Sequence, residues 1–196
     1  MQKHTPFVLV AFGTLGMITH SSATAADYDE SINGELSGDQ ANPTAWALDL
    51  GTNTITGTTV DNPLDRDFFM VTIGAGQSLD SLVLTSFTGD PANNEAFMAV
   101  DDQAGFDTLI NPTDYLGTTL IGAGDIGDDA LDLLGATEFG GDGFTGPLGE
   151  GTYTFWFQET GGPTSYTFTA TVVPEPGSVA ALLLGAGGLM ARRRRR

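Results

Sequence analysis

Short apolar runs of period two recur from residue 45 to residue 173 and limit what this chain can fold into. Phe69, Val71 and Ile73 form one such run, and Tyr153 with Phe155 begins another. Alternation of this kind places the apolar side chains on one face of a strand. Because Gly, Asn, Asp and Pro separate the runs, they predict an all-β fold, an antiparallel β-sandwich of about eight strands. The predicted strands are residues 46–50, 54–60, 69–73, 79–87, 97–100, 116–121, 153–158 and 166–172.

Two segments do not follow this pattern. Residues 26–44 are acidic and polar, which predicts a loosely held lead-in. Residues 122–149 are rich in Gly and Asp, with one short helical candidate at 128–134. So long an irregular segment is usually functional or mobile. A length of 196 residues favours one domain, which we place at residues 45–173.

The N-terminus has the three parts of a secretory signal peptide. Lys3 and His4 form a short positive region, and residues 7–18 form an apolar stretch. Ala23 and Ala25 then supply the small-residue cleavage pattern. We therefore expect residues 1–25 to form a signal helix that signal peptidase removes, so that the mature protein starts at Ala26 and is exported.

Charge is distributed very unevenly along the chain. Arg66 is the one basic residue between positions 26 and 173, against 24 acidic residues, so the formal charge of this part is −23. Such a field repels nucleic acid and favours solubility and the uptake of divalent cations. A nucleic-acid partner is therefore set aside.

The same part of the chain lacks His, Cys and Lys altogether. Their absence removes Ser-His-Asp and Cys-His nucleophilic sites, lysine Schiff bases and the usual zinc ligands. What remains for catalysis is pairs of carboxylates, as in a glycosidase, and among 24 acids such pairs arise by chance. The sequence therefore favours a protein that is not an enzyme, with a carboxylate-based hydrolase as the weaker alternative.

A three-part tail follows the last predicted strand. It begins with Val173, Pro174, Glu175 and Pro176, whose two prolines predict an extended, protease-accessible connector. Residues 177–191 carry no charge, and as a helix they would span about 22 Å of a hydrocarbon core of about 30 Å. This predicts a short transmembrane helix that is marginal as a permanent anchor. Positive residues stay cytoplasmic, so the closing arginines orient the domain outward. They are Arg192, Arg193, Arg194, Arg195 and Arg196.

Residues 173–196 resemble the PEP-CTERM sorting signal of Gram-negative bacteria. The resemblance implies recognition by a membrane-embedded exosortase and cleavage near Pro174, Glu175 and Pro176. It also implies a transient stay in the inner membrane, followed by transfer to the cell surface or extracellular matrix. Such proteins accompany exopolysaccharide and biofilm production, so exopolysaccharide is a partner that the resemblance suggests.

The domain itself is similar to the bacterial pre-peptidase C-terminal-like β-sandwiches. Residues 65–69, Asp-Arg-Asp-Phe-Phe, followed by the turn at 73–77, look like that family's Asp-x-Asp-aromatic strand. Residues 149–155 resemble its penultimate strand. This similarity covers residues 45–173 with gaps at 122–149. It implies a non-catalytic accessory or binding domain, sometimes with bound calcium.

Three groups of acids are candidate calcium ligands, because Ca²⁺ takes six to eight oxygens from carboxylates and carbonyls. The first is Asp125, Asp128 and Asp129, beside glycines that let backbone carbonyls turn inward. The second is Asp65 and Asp67 at a strand entrance, and the third is the pair at 101 and 102. The alternative for all three is that the acids are solvated and serve only solubility, and for Asp65 and Asp67 it includes turn capping and pairing with Arg66.

Trp156 is the candidate residue for ligand stacking. It points away from Tyr153, Phe155 and Phe157, so it could stand exposed as a platform for a sugar ring if those three face the core. Core packing on both faces is the preferred interpretation. Three functions stay open: a structural or interaction protein of the surface or matrix, a calcium-dependent polysaccharide-binding module, and a carboxylate-based hydrolase.

Overall fold

The computed structural model describes residues 27–60, 64–89, 95–159, 161–175 and 177. Within these ranges the chain forms two sheets and two short α-helices. The four-stranded sheet has the order β1-β3-β9-β5, and the five-stranded sheet has the order β2-β4-β8-β6-β7. The strands are β1 Tyr28–Asp29, β2 Thr44–Ala45, β3 Gly51–Thr59, β4 Asp67–Ile73, β5 Gln77–Thr88, β6 Glu95–Asp101, β7 Gly117–Gly122, β8 Gly151–Gln158 and β9 Thr164–Pro174, and the helices are α1 Glu30–Asn33 and α2 Ala130–Gly135.

The all-β prediction is confirmed, and β3 to β9 match seven of the eight predicted strands. The strand predicted at 46–50 is wrong. Trp46 is nevertheless buried, and its backbone N–H donates to the carbonyl of Met70. The side chain of Asn53 bonds both the N–H and the carbonyl of Asp49, so a side chain takes the place of a ladder partner there. The sandwich is also not wholly antiparallel, because β1–β3 and β2–β4 pair in parallel.

One hydrophobic core lies between the two sheets. Phe155 and Phe157 of β8 contribute to it from one side, and Tyr166 and Phe168 of β9 from the other. The rings of Phe157 and Tyr166 meet across the sandwich with their centroids 4.0 Å apart. Each large apolar side chain buried in this way stabilises the fold by about 1.5–3 kcal/mol. The predicted alternation therefore holds the sheets face to face.

A second, smaller core covers the outer face of the five-stranded sheet. The connection between β6 and β7 brings Phe106 and Tyr115 over Phe68, Ala99 and Trp156. Both faces of β8 are consequently buried near its C-terminal end. The alternating sequence of β8 therefore does not leave one of its faces exposed to solvent.

Segment 122–149, predicted to be functional or mobile, runs along the exposed edges of β5 and β7. Leu79 and Leu148 exchange two backbone hydrogen bonds at the β5 edge. At the β7 edge the N–H of Glu138 donates to the carbonyl of Thr118. An uncovered edge strand is a template for aggregation, so this segment protects one side of the sandwich. The predicted helix at 128–134 is confirmed as α2.

The N-terminal segment covers the other side, and the prediction that it is loosely held is wrong. Residues of β1 pair with β3, and Leu36 is buried in the main core. The N–H of Phe68 donates to the carbonyl of Ser37 at 2.9 Å. These contacts come from elements of two to four residues, which are too short to produce a periodic pattern.

The segments at both ends of the chain whose functions were predicted from the sequence lie outside the described residues. These are the signal helix at 1–25, the cleavage residues Ala23, Ala25 and Ala26, Pro176, and the span and arginines after residue 177. In the part of the chain that the structure describes, no helix has the length and apolar character needed to cross a membrane. Val173 and Pro174 end β9, and the N–H of Glu175 donates to the carbonyl of Gly76 at 2.8 Å.

Candidate metal centre

Asp67, the first residue of β4, is a carboxylate with no solvent-exposed surface. Its Oδ2 accepts a hydrogen bond of 2.7 Å from the Tyr166 hydroxyl. Its Oδ1 is buried and has no hydrogen-bond partner. A buried charge is strongly disfavoured unless it is paired, and each unsatisfied polar atom costs about 1–3 kcal/mol. Oδ1 of Asp67 therefore lacks the partner that a buried carboxylate oxygen needs.

Tyr166 reaches Asp67 because β3 has a glycine where the phenol ring passes. Gly57 lies opposite Tyr166 in the β3–β9 register. A Cβ at Gly57 would stand 2.4 Å from Tyr166 Oη and 2.6 Å from its Cζ. Glycine inside a strand often marks such a close approach. This position therefore serves the site rather than a turn.

Glu30 and Glu35 approach Asp67 from the N-terminal segment. Asp29 caps α1 through the N–H of Ser31, and Gly34 ends the helix with a φ of 99°. Glu30 Oε1 accepts from the N–H of Leu36, and Oε2 accepts from the N–H and hydroxyl of Thr58. The helix therefore presents the fixed Glu30 to the start of β4, and the exposed Glu35 follows directly after its C-cap. One carboxylate oxygen from each of Glu30, Glu35 and Asp67 lies within 4.8 Å of the other two.

Burial and mutual repulsion govern the protonation of this cluster. Burial raises the pKa of Asp67 to about 8, opposed by the Tyr166 hydrogen bond and reinforced by the charges of Glu30, Asp65 and Glu35. Burial, and then the charge of Glu30, raises the pKa of Glu35 as well. Burial also raises the pKa of Tyr166 well above its ordinary value, so the phenol remains a donor. Without a cation, Asp67 and Glu35 are pushed toward their protonated forms.

The arrangement suits a single divalent cation with oxygen ligands. Two oxygens bound to one Ca²⁺ at about 2.3–2.6 Å lie at most about 5 Å apart, so oxygens within 4.8 Å can share an ion. Glu30, Glu35 and Asp67 would hold it, with water completing the six to eight ligands. A cation would give Asp67 the electrostatic partner that it lacks.

Of the second predicted pair, the structure brings Asp67 into this cluster and places Asp65 just outside it. Asp65 is half-buried, burial raises its pKa, and its N–H donates to the carbonyl of Val60. Arg66 donates instead to Gln158 Oε1 at 2.7 Å and lies over the Trp156 ring. The charge of Arg66 is therefore directed away from the acids on either side of it.

The first predicted group has structural roles in loop and helix capping. Asp125 Oδ2 accepts from the N–H of Gly122, and Asp129 Oδ1 accepts from the N–H groups of Leu131 and Leu82. Asp128 is exposed. Over the described ranges, these three do not form a group of carboxylates close enough to share an ion. The geometry thus gives no support to calcium there.

The third pair lies at the end of β6. Asp101 Oδ1 accepts from the N–H of Asp102, and its Oδ2 accepts from the Gln103 side chain at 2.6 Å. Asp101 is buried and Asp102 is exposed, and burial raises the pKa of Asp101. These contacts make Asp101 a turn-stabilising residue.

Trp156 packs in the second core, which confirms the preferred interpretation, and the alternative of an exposed stacking surface is wrong. Its side chain is 7% exposed and stacks on Phe68 with ring centroids 5.7 Å apart. Phe97 packs edge-on at 4.8 Å and Phe106 at 6.0 Å. The aromatic rings of the β6–β7 connection and of β4 and β6 thus occupy the space that a sugar would need.

Glu30 and Glu35 were missed by the sequence reasoning because they lie in the lead-in that we predicted to be loose. They are more than 30 positions from Asp67 along the chain. The Asp-Tyr-Asp-Glu-Ser run at 27–31 was a weak signal, since Asp29 is a good N-cap residue followed by an acid in the first helical turn. The sequence did not indicate that this run lies close to β4 in the fold.

The function of this chain is inferred from its own residues. No protein-family model matches the chain, and no curated protein or solved structure matches it either.

Proposed function

We propose that this protein is an exported, non-catalytic β-sandwich that binds a divalent cation, Ca²⁺, at Glu30, Glu35 and Asp67. One observation carries the proposal: Asp67 has no exposed surface and an unpartnered Oδ1, yet lies among two further carboxylates. The formal charge of −23 concentrates cations around the domain. The bound ion would fasten the mature N-terminal segment to the start of β4.

Calcium fits this ligand set better than other common ions. The three side chains offer hard oxygen atoms, which Ca²⁺ and Mg²⁺ prefer. Mg²⁺ needs nearly octahedral geometry and keeps several of its waters, whereas Ca²⁺ accepts six to eight oxygens in flexible geometry, which suits three carboxylates from separate segments. Zinc sites generally use His or Cys, which the exported part lacks.

The burial of Asp67 also favours a binding role over catalysis of hydrolysis by a pair of carboxylates. A general acid has to reach the oxygen of the scissile bond at hydrogen-bond distance. Asp67 has no exposed surface, and the Tyr166 hydroxyl occupies its Oδ2. A polymer substrate could not contact it without opening the sandwich.

Calcium is expected to stabilise the exported protein, and Glu35→Gln to weaken that effect. A free concentration of 100 times Kd adds about 2.7 kcal/mol, which raises Tm by about 5–11 °C in a domain of this size. Loss of one charged ligand should weaken binding about tenfold, and thus remove about 1.4 kcal/mol of this. Thermal melts in calcium and in EDTA measure both quantities.

Glu150→Gln is the matched control for this experiment. Glu150 is exposed and precedes β8 at the opposite end of β4 from Asp67. The substitution removes the same charge from the same domain. Equal calcium shifts in wild type and in both variants would rule out this site, since only general screening would then be at work.

We also propose export and sorting through the exosortase route to the cell surface or matrix. The signal pattern at 1–25 and the tail at 173–196 support it. β9 ends at Pro174, so the first two residues of the Val-Pro-Glu-Pro motif close the last strand of the folded domain. Intact-mass measurement of the secreted protein is expected to give a mature chain that starts at Ala26 and lacks Arg192 to Arg196. A mass that retains both ends would contradict this route.

A further inference from the structure

The outer face of the four-stranded sheet carries a regular array of hydroxyl groups. Four threonines occupy alternate positions of β3 from Thr52 to Thr58, with Ile55 buried between them. Opposite them in register, β9 presents Thr171, Thr169, Thr167 and Ser165. All eight side chains are half-buried or exposed. They form four cross-strand pairs on one surface.

The third long strand of the sheet, β5, continues the same rows. The register places Ser81, Val83, Ser86 and Thr88 beside the four β9 residues. Eleven of the twelve positions in these four rows are therefore Ser or Thr, and none is acidic or aromatic. We call these twelve positions the hydroxyl face. These twelve positions are uncharged in a part of the chain with 24 acids and one basic residue, and Asp27, Asp29 and Glu30 border them along β3.

The existing hydrogen bonds leave most of this array open. Thr56 and Thr167 share one bond of 3.0 Å at its centre. Thr54 and Thr58 donate to Asp27 and Glu30 at the β3 margin, and Thr169 donates to Thr85 at 3.5 Å. The remaining hydroxyls keep donor and acceptor capacity toward a ligand or solvent.

We propose that the hydroxyl face binds a neutral polysaccharide chain. Hydroxyls both donate and accept, so they match the hydroxyls of a sugar without any charge on either side. The domain's field repels anionic polymers, whereas a neutral chain approaches this face without electrostatic cost. Neighbouring strands lie about 4.8 Å apart, which is close to the length of one pyranose unit in an extended chain. A chain that crosses the strands can thus place about one sugar on each.

Two other occupants fit the observations less well. A second copy would bring another charge of −23 close to the first. An ordered water lattice requires a flat surface, whereas neighbouring strands in a sheet are rotated by roughly 20–25°. The face has no ring for stacking, so each contact is weak and affinity comes from a long polymer that spans several rows.

Affinity electrophoresis of the exported protein tests the proposal, with hydroxyethylcellulose and laminarin as neutral probes and alginate as the anionic probe. We expect retardation by at least one neutral polymer and none by alginate. The isosteric triple variant T56V/T167V/T169V keeps the β-branched shape and should weaken retardation at least threefold. T72V/T152V changes a threonine pair on the other sheet and should behave as wild type.

A second variant, S86A/T88A, alters exposed positions only and should weaken retardation even if the triple variant is unstable. Wild-type mobility unchanged by both neutral polymers would overturn the proposal. So would equal retardation of wild type and both face variants, or retardation by alginate alone. Ice-growth inhibition or dimerisation that the variants abolish, without retardation by the neutral polymers, would assign the face to water or to a second copy instead.

Discussion

Asp67→Asn is expected to stabilise the calcium-free protein at neutral pH, although it alters a buried, hydrogen-bonded residue. Asparagine has the same shape and carries no charge, and its Oδ1 can still accept from the Tyr166 hydroxyl. Its amide can donate toward Glu30 and Glu35 without taking up a proton. Asp67 has to hold a proton at neutral pH or bury its charge, and asparagine avoids both costs while it keeps the packing.

The pH dependence of stability follows from the raised pKa of Asp67. Burial raises this pKa from 3.8 to about 8, so the folded protein binds the proton more tightly than the unfolded chain does. Stability in EDTA is then greatest near the unfolded pKa of about 4, and falls as the pH rises toward 8. A tenfold difference in proton affinity corresponds to about 1.4 kcal/mol, so the loss at pH 8 amounts to a few kcal/mol.

Denaturant unfolding in EDTA from pH 4 to pH 8 measures this difference. The free energy of unfolding of the variant should equal that of wild type at pH 4 and exceed it by a growing amount at higher pH. Its decrease with pH should therefore be less steep than in wild type. Some slope should remain, because burial also raises the pKa values of Glu35 and Asp65. A variant less stable than wild type by the same amount at every pH would contradict the assigned protonation of Asp67.

Gly57→Ala is expected to lower the free energy of unfolding by about 3 kcal/mol, at the upper end of the usual range for overpacking. The new Cβ would lie 2.4 Å from Tyr166 Oη. Tyr166 cannot move aside, because it is fully buried and packs against Phe157 and Phe168. The strain would also displace the donor to Asp67, so calcium affinity should fall together with stability.

Gly124→Ala is the control for this prediction. An added Cβ at Gly124 meets nothing within 4 Å, and its φ is not in the left-handed region. Urea unfolding should show a change within about 0.5 kcal/mol there, as for most surface substitutions. Equal effects of the two substitutions would show that Tyr166 is not held against Gly57.

The parts of the fold that the sequence predicted are those where one physical signal dominates. β3 and β9 alternate between core and exterior over most of their length, and Gly-containing turns separate several of the strands. The strand at 46–50 failed because the Asn53 side chain satisfies the backbone of Asp49, which periodicity does not register. Trp156 is not an exposed stacking platform because the β6–β7 connection, which is distant in sequence, folds over β8.

The site was predictable only in part, for a related reason. Asp67 stood out through its local pattern at a strand entrance. Glu30 and Glu35 reach it through a four-residue helix and a two-residue parallel strand, and such short elements have no signature in hydropathy. Asp125 and Asp129 looked like ligands because Asp is both a calcium ligand and a capping residue, and their backbone contacts show that they cap.

Equilibrium dialysis of the exported protein against ⁴⁵Ca²⁺ tests the cation site most directly. We expect saturable binding of one ion per chain at pH 7.5. The same ion should be lost in Asp67→Asn, weakened about tenfold in Glu35→Gln and retained in Glu150→Gln. Absence of saturable binding in wild type, or equal binding by wild type and Asp67→Asn, would contradict the assignment of this cluster as a calcium site.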